Sequence, residues 1–133
     1  MAGLISGLFA LFGCGKAQKT EYRVADVYTD LRQHLLTLDP KTVGLSPSAS
    51  NRVWAVLMET GYPEAVVTLA SVGDGTVSLY FSNGGGIIGV GEHEEARKAG
   101  LELISAAQAV LESTQHTDTF PLPENGHTRF HIM

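Results

Sequence analysis

The sequence has only one cysteine and few basic residues. Cys14 has no partner in the chain, so an internal disulfide is excluded and cysteine usage does not reveal the redox compartment. Nine Lys and Arg stand against 14 Asp and Glu in 133 residues, which gives a formal net charge of −5. Because affinity for nucleic-acid phosphates depends on clustered cations, this balance argues against a nucleic-acid partner.

The start of the sequence also lacks the features of a membrane span or a leader peptide. Spanning a bilayer requires about 20 mostly apolar residues, and the charge-free stretch that opens the chain ends before Lys16. A secretory signal needs a cationic segment ahead of its apolar stretch, and no charged side chain precedes Lys16. Residue 2 is alanine, which excludes N-myristoylation. We therefore expect a cytoplasmic protein.

The first 15 residues differ from the rest of the chain. They carry no charged side chain, and we treat them as an apolar segment ahead of a single domain over residues 16–133. At helical spacing the large apolar side chains share one face, and small residues line the other. Such a helix would bury itself against a partner subunit, a membrane interface or its own domain. The predicted interaction residues are Leu4, Ile5, Leu8, Phe9, Leu11 and Phe12.

Cys14 offers a different interpretation of the same segment. Leu11-Phe12-Gly13-Cys14 resembles the lipobox of bacterial lipoproteins, with a small residue before the cysteine. Lipidation at Cys14 is therefore an alternative, although Phe12 is bulky for that pattern and the cationic segment is missing. A catalytic role for Cys14 is not favoured, because only Lys16 offers the nearby positive charge that a reactive thiol needs.

Three segments of the domain have helical spacing. Residues 21–38 and 47–60 carry apolar side chains at the 3.6-residue period, and residues 92–113 form the longest predicted helix. Asp39-Pro40 ends the first helix, since the residue before a proline avoids the α region. Ser46-Pro47 begins the second, with a capping hydroxyl and a proline at the first helical position.

Four segments have the character of strands. Residues 65–72 and 76–81 are joined by Asp74-Gly75, a strong tight-hairpin signal. Residues 87–90 predict a third short strand, and residues 127–133 predict a last strand with an open edge that can pair with another copy or a partner.

The order of elements predicts an α+β fold class. We expect a two-layer domain, with a mainly antiparallel sheet of four to five strands packed by two or three helices, plus the apolar N-terminal helix. As a fold-level analogy only, this order looks like the roadblock, longin and profilin-like group. No residue motif supports the analogy, so it transfers no site to this chain.

A glycine-rich loop is the main candidate for ligand binding. Residues 84–89 satisfy G-x-G-x-x-G after a strand, a pattern typical of phosphate-binding loops. Two features argue against a phosphate: residues 87–90 are strand-like, and the next helix opens with carboxylates that would repel an anion. His93 beside Glu94 has the composition of a general base held by an acceptor. The candidate ligand-binding residues are Gly84, Gly85, Gly86, Gly89, His93 and Glu94.

Histidines near the end of the chain do not predict a metal site. His127 and His131 lie four residues apart, which on a strand separates them by about 13 Å, too far to share an ion. No metal, cofactor or catalytic residue is predicted.

Together these patterns favour a non-catalytic interaction or assembly module. It would self-associate as a homo-oligomer, or dock a protein partner, through the N-terminal helix and the exposed strand edge. Two alternatives stay open. One is a small-ligand binding or enzyme domain that uses loop 84–91 with His93 and Glu94. The other is a membrane-attached accessory protein anchored through residues 4–14.

Overall fold

A computed structural model describes residues 20–133 of the chain. The predicted N-terminal helix, its interaction residues from Leu4 to Phe12, and Cys14 lie outside the described residues. That helix therefore gains no support, and the first helix described begins at Asp26. The α-helices and strands are α1 (Asp26–Leu36), β1 (Ala55–Gly61), β2 (Val66–Val72), β3 (Val77–Phe81), β4 (Gly86–Ile87), α2 (Glu94–Val110) and β5 (Thr128–Ile132). Short 3₁₀ helices cover Pro40–Val43, Val90–Glu92 and Leu111–Ser113.

The strands form one antiparallel sheet in the order β4-β3-β2-β1-β5. The first four strands follow one another as a meander, and Gly75 provides the positive φ of 93° in the predicted β2–β3 turn. Helix α2 then carries the chain back across the sheet, so that β5 pairs with β1. The predicted α+β class and antiparallel sheet are confirmed.

The predicted helix over residues 47–60 is wrong, because most of its apolar residues belong to β1. Ala55, Leu57 and Glu59 point to one face of the sheet, and Val56 and Met58 point to the other. Both faces of β1 are covered in its first half. Successive residues there are therefore apolar, without the alternation of a half-exposed strand. A short run of this kind does not distinguish a strand from a buried helix by periodicity alone.

The predicted two-layer arrangement is also wrong, because the helices lie on opposite faces of the sheet. Tyr28 and Leu35 of α1 pack in a cluster with Leu57. Ile104 and Ala107 of α2 pack in a second cluster with Val56, the neighbour of Leu57 that points the other way. The domain therefore has three layers, helix, sheet and helix.

Helix α2 approaches the sheet closely through a glycine. A Cβ at Gly100 would lie 2.6 Å from Cγ2 of Val77 and 3.2 Å from Oγ of Ser71. The buried residues of α2 are Gly100, Ile104 and Ala107, whereas Ala99 and Val110 are exposed. The flank of α2 that carries Ala99 and Val110 is therefore left uncovered by residues 20–133.

Candidate functional site

Strand β5 forms one edge of the sheet, with β1 as its neighbour on the inner side. Met133 and Ala55 exchange two backbone hydrogen bonds, and Gly61 N–H donates to the His127 carbonyl. Since bonded pairs alternate along an antiparallel ladder, residues at odd positions of β5 face β1. The backbone groups of Thr128, Phe130 and Ile132 therefore point outward. Within residues 20–133 no backbone hydrogen-bond partner meets them.

A recess of about 510 Å³ lies between β5 and the segment 111–120 that precedes it. Its apolar lining comes from both sides, with Leu111 and Phe120 facing Phe130 and Ile132. Polar residues of the rim include Arg52, which forms an exposed ion pair with Glu112 at the surface. The outer edge of β5 thus runs beside a cavity of mixed character that is large enough for side chains of a bound segment.

A fully buried carboxylate lies beneath this edge. Glu59 is 0% exposed, and Arg32 donates to both of its oxygens, from Nε to Oε1 at 2.6 Å and from a terminal nitrogen to Oε2 at 2.8 Å. His131 Nε2 lies 3.1 Å from Oε2, and Thr68 Oγ1 donates to Oε1 at 3.2 Å. Because the Thr68 hydroxyl donates its proton to Glu59, its oxygen accepts a hydrogen bond from the Tyr28 hydroxyl at 2.7 Å. We refer to these five residues as the Glu59 cluster.

The cluster joins the edge strand to the rest of the fold. Arg32 also donates to the backbone carbonyl of Phe120 at 2.8 Å, and the Phe120 ring meets the His131 ring edge-on at 5.3 Å. One guanidinium therefore connects α1, β1 and the segment that bounds the recess. His131 connects β5 to the same carboxylate, so both walls of the recess are anchored to Glu59.

The local charges explain the protonation states of the cluster. Burial by itself raises the pKa of Glu59, but hydrogen bonds from Arg32 and His131 outweigh it and lower the pKa to about 2. Burial raises the pKa of Tyr28 to about 12, and the nearby charge of Glu59 adds to this. Burial opposes the charge of Arg32, yet Glu59 raises its pKa above the ordinary value. The carboxylate and the guanidinium are both ionised and the phenol is neutral.

This arrangement is suited to holding structure. A general base must reach the proton that it removes, whereas the oxygens of Glu59 are enclosed and already accept hydrogen bonds from Arg32, Thr68 and His131. We therefore assign the Glu59 cluster a positioning role beneath the edge strand and its recess.

Acid should weaken the fold through Glu59. A carboxyl group whose pKa is lowered by folding stabilises the native state above its unfolded pKa, here near 4.5, and loses that contribution as the pH falls towards 2. We expect the free energy of unfolding to fall by up to about 1.4 kcal/mol per pH unit in this window. Urea titrations between pH 6 and pH 2.5 measure it. The slope should persist in the exposed-site control Glu102→Gln and flatten in Glu59→Gln; equal slopes in both would contradict the assignment.

The residues of the predicted glycine site are placed at two ends of β3. Gly86 pairs with Tyr80 near the end of the strand. Gly91, just before His93, lies against Gly75 and Val77 at its start. His93 and Glu94 are exposed, and His93 makes no capping hydrogen bond with its side chain. Of five cavities on the surface of residues 20–133, none contains both the Gly84–Gly86 turn and His93. Ligand binding there stays a prediction.

The two histidines of the last strand have separate environments. His131 is 8% exposed and contacts Glu59, whereas His127 is exposed with its Nδ1 3.2 Å from the Asn125 carbonyl oxygen. Among residues 20–133 no group of three His, Cys, Asp or Glu side chains could hold a metal ion.

Sequence reasoning missed Tyr28, Arg32, Glu59 and Thr68. The only signal in the sequence is a single carboxylate inside an otherwise apolar run. On the predicted helix over residues 47–60, which has a solvated side, such a carboxylate needs no buried partner. On a strand covered from both faces, the same carboxylate requires a buried cation.

The fold and this site define an α+β domain whose anchored last strand has no second strand partner among the described residues. No protein-family model, curated protein or solved structure matches the chain. In the described part of the chain no helix is both long and apolar enough to cross a membrane.

Proposed function

We propose that this protein is a non-catalytic interaction module that docks an extended segment along β5. The segment comes from a second copy of the chain or from a partner protein. The observation that carries the proposal is the set of outward backbone groups at Thr128, Phe130 and Ile132 beside the recess. Backbone pairing would provide affinity, and the recess would select side chains of the bound segment.

Within the described residues, β5 lacks several of the features that commonly protect edge strands. Such strands are often very short, or carry proline, bulges or several charges. Here β5 has five residues without proline, its register with β1 is uninterrupted, and its only Lys or Arg is Arg129. Arg129 shares the α1 side of the sheet with Glu59, so its charge does not lie in the plane of the free edge.

The Glu59 cluster supports this function by holding the docking surface in place before binding. Strand addition is favoured when the receiving edge is already ordered, because less conformational entropy is lost on association. Hydrogen bonds from His131 and Arg32 fix β5 and Phe120 to one buried group. The same contacts account for the absence of an accessible reactive group in the cluster, which fits a binding role better than a catalytic one.

A pair of substitutions at one position tests the proposal. Phe130→Pro removes an outward N–H without removing a hydrogen bond to β1, whereas Phe130→Ala removes the same side chain and keeps the N–H. If two copies pair through β5, Phe130 lies at the centre of the two-fold interface. We expect analytical ultracentrifugation to show weaker association for Phe130→Pro than for Phe130→Ala.

Docking of a partner protein is tested with the same two variants. The ligands are peptides that bind the unsubstituted protein and are selected from a random library of ten-residue sequences. A selected peptide should slow hydrogen exchange at Thr128, Phe130 and Ile132, and lose at least tenfold in affinity for Phe130→Pro relative to Phe130→Ala. A protein that stays monomeric and selects no such peptide would contradict the proposed function.

A further inference from the structure

The face of the sheet that carries α2 has an apolar row that this helix leaves partly uncovered. Strand register places Phe130, Met58, Leu69, Leu79 and Ile87 side by side from β5 to β4. Phe130 is 53% exposed and Ile87 is 56% exposed, and the three residues between them are half-buried. We call these five residues the apolar row.

The row continues towards the end of the sheet where β1 finishes. A second line of side chains on the same face runs through Thr128, Thr60, Val67 and Phe81. Neither line contains a charged residue. Such an extended uncharged surface is unusual on a small soluble domain unless something covers it.

One flank of α2 borders the apolar row. Leu101 and Ser105 line a recess with Trp54 and Gly73, beyond the start of β1. The opposite flank of the helix must therefore face the middle of the sheet. The residues on that flank are Ala99, Leu103, Ala106 and Val110, of which Leu103 is half-buried and the others are exposed. The apolar row and this flank are both uncharged, and we call the surface that they form together the groove.

We propose that the chain's own N-terminal segment, residues 4–12, occupies this groove. Its large apolar side chains share one helical face and would lie on the apolar row, with the small residues turned outward. The segment carries no charge, as the groove carries none. A helix over residues 3–13 is about 16 Å long, which is close to the roughly 19 Å across five strands.

Thr20, the first described residue, lies where a connection to the docked N-terminal segment can begin. Thr20 Oγ1 accepts a hydrogen bond from the Asn125 N–H, and Asn125 is paired with Gly61 at the end of β1. The chain thus enters at the end of the sheet next to Thr60 and the second line. Residues 13–19 can span about 23 Å when extended, so they can pass around the end of the sheet to the apolar row.

Docking within the same chain is favoured over docking to a second copy. A short connection gives the segment an effective concentration of the order of millimolar at its own groove. This inference goes beyond the proposed function, because it uses side chains on the face of the sheet, whereas strand docking uses backbone groups at the edge. Either can fail without the other.

The single cysteine and the few methionines permit a direct test on the full-length protein. A nitroxide is attached to Cys14, and methyl signals of ¹³C-labelled methionine are recorded. Met58 lies in the apolar row, and Met133 packs with the cluster on the α1 side. We expect stronger paramagnetic broadening of Met58 than of Met133, and no such difference with a diamagnetic label.

Two matched variants locate the contact. Leu8→Asp places a charge on the large apolar face and should abolish the selective broadening of Met58. Ser6→Asp places the same charge on the small face and should preserve it. Equal effects of the two variants, or no selective broadening in the unsubstituted protein, would overturn the inference. Selective broadening of Met58 in a mixture of ¹³C-labelled, nitroxide-free protein and unlabelled, nitroxide-bearing protein would also overturn it, since the segment would then occupy a second copy.

Discussion

Glu59→Gln is expected to lower the free energy of unfolding by about 3 to 5 kcal/mol, the usual cost of breaking a buried ion pair from one side. The substitution keeps the size of the side chain but removes its charge. Arg32 is then left only 13% exposed, with no anion in contact. The amide also presents N–H donors in place of one carboxylate oxygen. In either orientation its nitrogen therefore meets an Arg32 donor, and either Thr68 or His131 loses the oxygen that it faced.

The measurement is urea unfolding at pH 7, with the exposed variant Glu102→Gln as the control that removes a charge without a buried partner. A double variant separates burial from pairing. Arg32→Met with Glu59→Leu removes both charges, and it should be less destabilised than Glu59→Gln, because no uncompensated charge remains buried. A loss below about 1 kcal/mol for Glu59→Gln would show that the pair is solvated in solution.

The same substitution reports on the edge strand. His131 and Phe120 are both held through the carboxylate of Glu59, one directly and one through Arg32. Glu59→Gln should therefore speed hydrogen exchange in β5 more than in β3, which does not contribute to the cluster. Uniform acceleration across the sheet would mean that the cluster supports the whole fold equally and has no special relation to the edge.

Local signals predicted much of the fold. The β2–β3 hairpin was recognisable because Asp74-Gly75 specifies a tight turn through short-range chemistry: Gly75 has a positive φ, and Asp74 Oδ1 accepts from the Thr76 N–H at 2.8 Å. The first and last helices of the domain and the final strand were recognisable from periodicity, with boundaries that differ by a few residues.

The elements that failed depend on distant contacts. Glu59 meets Arg32 across 27 residues and His131 across 72, so no local window contains the group that makes a carboxylate acceptable in the core. The three-layer arrangement also depends on distant contacts, because the two faces of β1 are covered by α1 and α2, which lie far apart in the sequence. A helix in place of β1 would not bring Glu59 next to both Arg32 and His131, so the cluster that anchors the edge strand is not predicted.

The glycines of the motif also have a local structural cause. Gly84 and Gly89 have φ values of 104° and 79°, as the turns flanking the two-residue strand β4 require. A Cβ at Gly86 would lie 2.7 Å from the Leu79 carbonyl oxygen. These backbone demands account for the glycines without a ligand.

Gly61→Ala is expected to destabilise the protein by about 3 kcal/mol, the upper end of what overpacking normally costs. A Cβ at this position would overlap the Glu124 carbonyl oxygen and would lie 2.6 Å from the Tyr22 hydroxyl oxygen. The Glu124 carbonyl oxygen is a backbone atom, so it cannot move away by a rotamer change as a flexible side chain can. The backbone on both sides of Glu124 is held by two hydrogen bonds, from the Gly126 N–H to the Gly61 carbonyl and from the Tyr22 hydroxyl to the Pro123 carbonyl.

The damage from Gly61→Ala should be greatest where β5 begins, because residues 123–127 lead directly into that strand and also receive the chain at Thr20. Gly85→Ala is the matched control: its Cβ would meet mainly the ring of Phe81, at 3.2 Å, and that half-exposed side chain can move. We expect urea unfolding to give less than about 1 kcal/mol for the control. Similar losses for both variants would show that the 123–127 segment yields easily. In that case the start of β5 would not be the fixed platform that strand docking requires.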